Sequence, residues 1–171
     1  MSTLNVDTLQ DKAGAFEHAR LVQVVNVQDG EVATGTTVLP GETDNTIPQN
    51  NEGDQYMSLA ITPTHASNKL LIEVVANLSH PTSLSMLTAA LFQDSTAGAL
   101  AAAQGWESTA GAVNINVVFA HYMTAGTTSS TTFKVRGGCE DAGTVSFNGS
   151  SGTRQLGGVM ASSITISEIR V

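Results

Sequence analysis

The chain has 171 residues and a formal charge of −8; 13% of it is charged, 5% is aromatic and 16 residues are glycine. That length suits one domain with a core of its own, and low charge with abundant small polar residues is not the composition of a disordered chain. Seven basic residues, none clustered, exclude a protein that tracks nucleic-acid phosphates.

Residues 1–19 differ in character from the rest of the chain. Leu4, Val6 and Leu9 give thin apolar cover, and Asp11-Lys12-Ala13-Gly14 breaks the segment. Such a piece cannot bury itself. It reads as an arm docked on a partner or wound with copies of itself; a helix over 14–20 is the alternative. The start has no basic region followed by an apolar core, and no apolar run approaches the ~20 residues of a membrane span. The expectation is a soluble protein made in a cytoplasm, without membrane insertion.

A period-2 pattern begins at Leu21 and stops at Asp29-Gly30. Residues 31–39 predict a second, Thr-rich strand, and 40–54 a polar loop long enough to cross between sheets. Over 56–62, Met57, Leu59 and Ile61 are predicted inward against Tyr56, Ser58 and Ala60, and Pro63 ends the strand. The organising stretch is 68–79. Leu70, Ile72, Val74, Ala76 and Leu78 form one apolar row, while Leu71, Glu73, Val75 and Asn77 mix apolar with polar. A mixed outer row suits burial against a second protein surface.

Residues 84–92 carry apolar groups on both faces, Leu84, Met86 and Phe92 on one and Leu87 and Leu91 on the other. The Ala-rich 97–103 is too short for an independent helix and reads as a turn or short strand. Residues 113–123 predict a strong strand; 131–136, 144–147 and 159–171 complete nine or ten. In the last, Ile164 and Ile166 lie on one face, Ile169 and Val171 on the other, so either a bulge shifts the register near Glu168 or both faces are covered. The pattern predicts an all-β fold, a jelly-roll or Greek-key β-sandwich over 20–171 with an extended N-terminal arm over 1–19.

Few residues are arranged for chemistry. His18, His65, His80 and His121 lack metal-ligand spacing; only His121, on a strong strand, could join copies of itself on a symmetry axis, and a structural role weighs heavier. Gly149-Ser150-Ser151-Gly152 is not a nucleophile elbow. Glu140-Asp141 reads as a solvated turn before it reads as a cation site. Scattered acids do not make a glycosidase pair. Cys139, the single cysteine, reads as an apolar filler. No enzyme activity, cofactor or metal is expected. Trp106, with Glu107 beside it, could either stack on a sugar or plug one end of the sandwich.

Three segments resemble bacteriophage fibre and receptor-binding proteins, especially those of marine and cyanobacterial phages. They are Ser2-Thr3-Leu4-Asn5-Val6-Asp7-Thr8-Leu9-Gln10; Glu52-Gly53-Asp54-Gln55-Tyr56-Met57-Ser58-Leu59-Ala60-Ile61-Thr62-Pro63 with Asn68-Lys69-Leu70-Leu71-Ile72-Glu73-Val74; and Arg154-Gln155-Leu156-Gly157-Gly158-Val159-Met160-Ala161-Ser162-Ser163-Ile164-Thr165-Ile166-Ser167-Glu168-Ile169. The resemblance implies a homotrimer with a tumour-necrosis-factor-like jelly-roll head, held on the virion by the arm through Leu4, Val6 and Leu9. The expected trimer contacts are Leu71, Val75, Leu87, Leu91, Ile169 and Val171. Trp106, Glu107 and Asn148, in the loops 97–112 and 137–152, are the expected contacts with a host surface glycan. A capsid-mounted decoration protein or head fibre is the alternative, since no shaft, repeat or coiled coil is present.

Overall fold

The computed structural model describes residues 20–41, 45–81, 85–107 and 112–171. Among these residues twelve strands run in chain order: β1 (Arg20–Asp29), β2 (Ala33–Gly35), β3 (Asp54–Ile61), β4 (Lys69–Ser79), β5 (Ser85–Gln93), β6 (Ala101–Glu107), β7 (Ile115–Thr124), β8 (Thr131–Cys139), β9 (Val145–Phe147), β10 (Gly149–Ser150), β11 (Thr153–Arg154) and β12 (Ser162–Arg170). The predicted second strand shrinks to three residues, and the Ala-rich stretch is a strand that continues to Glu107.

One sheet has β4 at its centre. β7 pairs one edge of β4 from Lys69 to Leu78; β12 takes the other edge as far as Val75, and β9 continues there from Leu78. β1 lies outside β12, and the second sheet runs β3-β8-β5-β6. All strand pairings among the described residues are antiparallel, and the chain passes from one sheet to the other between β2 and β3, β3 and β4, β4 and β5, β6 and β7, β7 and β8, and β8 and β9. This is a jelly roll.

The apolar row of β4 explains the layering. Leu70, Ile72, Val74, Ala76 and Leu78 are all essentially inaccessible and meet Leu87, Leu91, Phe133 and Val135 of the facing sheet in one continuous core. Cys139 lies in that core, and burial pushes its thiol pKa up.

Two inward assignments change. A bulge between Gln55 and Met57 turns Tyr56 inward, where its ring stacks on Phe147 with centroids 4.8 Å apart. On β5 the faces are the reverse of an outward Leu87 and Leu91: both sit in the core at 0% exposure. Neither can reach another subunit, which corrects their assignment to a trimer contact.

The other face of β5 is covered by the chain itself. Leu39 packs on Ala90 and Phe92, and residues around it and around Gly53 are bonded to the second sheet. Leu39 N–H donates to the Cys139 carbonyl (3.0 Å), Gly53 N–H donates to the Val38 carbonyl (2.9 Å), and Arg136 donates to the Glu52 and Gly53 carbonyls (2.8 and 2.6 Å). Contact is so close that a Cβ on Gly138 would lie 2.5 Å from Leu39 Cβ and 2.9 Å from Leu39 N. Gly138→Ala should therefore lift this strap at a cost of about 1–3 kcal/mol. Denaturant melts should show the loss, and undiminished stability would mean the strap yields freely.

Candidate functional site

The outward face of the first sheet is built by register. Leu71 lies between Tyr122 of β7 and Ser167 of β12; Val75 lies between Val118 and Ser163; Glu73 lies between Ala120 and Thr165. β1 adds Val24 opposite Ser167, and Leu21 opposite Ile169. Val118 and Tyr122 are 60% and 54% exposed, Leu21 and Val24 are exposed, and Leu71, Val75 and Ile169 are half-buried. The structure thus brings Leu71, Val75 and Ile169 to one surface, and adds Val118 and Tyr122, which were not among the expected trimer contacts. Their signal was present: Val117 and Phe119 face the core, so 118, 120 and 122 must face out. His121 shares the inward phase opposite Ile72, which removes it from any symmetry axis on this face.

β12 settles the choice left open for the last strand. Its alternation is unbroken, with Ser162, Ile164, Ile166 and Glu168 buried and 163, 165, 167 and 169 outward. The bulge lies in β1, between Leu21 and Gln23. Val171 comes after the strand, is exposed and lines a cleft with Arg20 and Arg170.

Glu168 occupies an inward position where the pattern calls for an apolar residue. Its Oε1 accepts from Thr64 N–H (2.8 Å), Thr64 Oγ1 (2.8 Å) and Asn68 Nδ2 (2.6 Å); its Oε2 accepts from Gln23 Nε2 (2.6 Å). Burial alone would raise its pKa, but the hydrogen bonds from Asn68, Gln23 and Thr64 outweigh it and hold the carboxyl at about 2. The side chain ties β1 and the 62–68 loop to β12. Because the folded carboxylate stays ionised while its unfolded counterpart takes up a proton near 4.5, the clamp's contribution is present above that pH and is lost between about 4.5 and 2. The span corresponds to about 3 kcal/mol. Glu168→Gln should lower stability at neutral pH and flatten the acid limb of a stability-against-pH curve; an unchanged limb would assign that limb to other carboxyls.

Asn148 is 1% exposed. In a left-handed conformation (φ 54°) it donates to the Asp29 carbonyl (2.6 Å) and accepts from Ser162 Oγ (2.7 Å), which in turn accepts from Asn77 N–H (2.9 Å). This network closes the junction where β12 stops and β9 begins. Asn148 therefore cannot contact a receptor, a second correction. Glu140 and Asp141 are also engaged in the fold: Oε1 of Glu140 accepts from Met86 N–H (3.0 Å), and Oδ2 of Asp141 accepts from Ser85 Oγ (2.8 Å).

Trp106 is 44% exposed and stands opposite Met86 on β6, an outer strand of the second sheet. Gly105, its neighbour, points inward against Ile115 and Val117, so the indole faces outward and does not plug the sandwich. Glu107 ends β6. Leu4, Val6 and Leu9 lie outside the described residues, as does the alternative helix up to residue 19. Among the described residues no three metal-ligating side chains converge.

No family model and no curated protein matches the sequence. Three solved structures align with it to differing degrees. Eiger TNF from S. frugiperda aligns with a TM-score of 0.52 at 9% identity, over 88% of this chain and 94% of that one. A structure of infectious bursal disease virus, Gt strain, aligns at 0.43 and 14% identity over 98% of this chain and 42% of that one. The enzymatically active domain of bacteriophage CBA120 tailspike protein 4 aligns at 0.28 and 13% identity over 72% and 18%. At these identities the likeness shows fold alone, and the two lower scores carry no argument. The TNF alignment shows the same jelly roll across nearly the full length of both chains.

Proposed function

We propose that this protein is a non-enzymatic virion component of a bacteriophage, the homotrimeric head of a fibre or spike, fixed by residues 1–19 to another virion protein and attaching to host surface glycan. The observation that supports assembly is the outward face of β4 and β7, where Leu71–Tyr122 and Val75–Val118 place apolar side chains side by side with only Glu73 between them on β4. A jelly roll of TNF shape is a fold compatible with three-fold packing through a sheet face. The resemblance of the three sequence segments to phage fibre proteins supplies the viral setting. Trp106, turned outward on an outer strand, is the side chain suited to stack on a sugar ring.

Sedimentation should give a particle of three times the 17.7 kDa chain mass. Val118 is exposed in the single chain, so Val118→Lys should leave the fold intact and release monomers, because a charge buried without a partner in the seam is strongly unfavourable. Leu71→Lys and Val75→Lys should act the same way. Wild-type trimers from all three variants, or a wild-type monomer, would remove this seam.

Purified protein should also compete with phage for adsorption to host cells, and Trp106→Ala should weaken that competition. No competition at a saturating dose would overturn the attachment role, and turnover of host polysaccharide would overturn the non-enzymatic one. Immunogold labelling of intact particles would place the protein on tail or capsid.

A further inference from the structure

Six basic residues fall among those described, and four of them are used by the fold. Lys69 donates to Thr124 Oγ1, Lys134 to the Asp94 carbonyl, Arg136 to the Glu52 and Gly53 carbonyls, and Arg154 pairs with Glu31. The side chains of Arg20 and Arg170 have no hydrogen-bond or ion-pair partner among the described residues. They are also direct partners across the antiparallel β1–β12 ladder. Like charges set opposite each other on paired strands destabilise a sheet, so an acidic chain has placed two of its few cations where they repel.

Both arginines line the same cleft, of about 380 Å³, at the end of the sandwich. The β3–β4 loop supplies Thr64, His65, Ser67 and Asn68 to the lining, and Val22 and Val171 complete it. The cleft is of a size to admit a small ligand. Glu168, two residues before Arg170 and inaccessible, has its carboxylate oxygens filled by Gln23, Thr64 and Asn68, and it forms no ion pair with either arginine. The two guanidinium groups are therefore left for an external acceptor, which they suit by presenting forked, permanently charged donors.

We propose that this cleft binds a small oxyanion, the carboxylate of an acidic sugar or a free phosphate. Arg20 and Arg170 hold the anionic group, and Ser67 and His65 lie within the same cleft to contact the polar body of the ligand. The lining includes neither Trp106 nor Leu71, Val75, Val118 and Tyr122, the side chains whose substitution tests the seam and the sugar contact.

Calorimetric titration of the full chain with sodium glucuronate, inorganic phosphate and glucose, at matched ionic strength, tests it. Saturable binding is expected for at least one anion and not for glucose, weakened about tenfold or more by Arg20→Gln and by Arg170→Gln and unaffected by Arg154→Gln. Preference between glucuronate and phosphate identifies the source of the anion. Neither cleft variant should melt below wild type, since neither arginine holds the fold. Absence of saturation with both anions at millimolar concentration, affinity unchanged in both variants, or a lowered melting temperature in either would overturn the site, and each would leave the trimer reading untouched.

Discussion

The rest of the molecule depends on one row of aliphatic side chains on β4. Five alternate residues of that strand are out of reach of water, and the strand is paired along both edges. Pairing on both sides satisfies its backbone, while the inward row supplies the apolar area that draws the second sheet across it. Because β4 is central, the surface it turns away from the core lies mid-sheet and cannot be hidden by a strand edge. Whatever covers Leu71 and Val75 must come from outside that sheet.

The two sheets solve the problem of their outer faces differently. Over β5 and β8 the chain covers itself: Leu39 lies on Ala90 and Phe92, and its close approach is admitted by the bare backbone at Gly138. Over β4 and β7 nothing among the described residues does so, and Val118 and Tyr122 remain exposed. Two-sided apolar strands thus have two origins here, one intramolecular and one open to assembly. The ends of the sandwich are polar by contrast, closed by the Asn77–Ser162–Asn148 network at one junction and by Glu168 at another.

Much of the candidate surface is legible from alternation. Leu70 to Leu78 inward and Leu71 with Val75 outward come from a period of two and a clear difference between rows. Where both rows are apolar, as on β5, the period gives two equivalent answers, and it places Leu87 and Leu91 on the wrong face. Tyr56 and Asn148 are misplaced for another reason: a bulge and a left-handed residue each break the period locally, and neither carries a distinctive sequence mark. Glu168 is visible as an acid in an apolar phase, yet its partners at 23, 64 and 68 lie far from it in the chain.

By itself the sequence determined an all-β sandwich, the inward row of its central strand and the mixed character of that strand's outer row, because side-chain alternation and burial are local properties. Tertiary structure alone decided which apolar faces the chain covers for itself, and which carboxylate, asparagines and arginines come together. Those outcomes depend on register between strands distant along the chain, where a shift of one residue exchanges inside for outside.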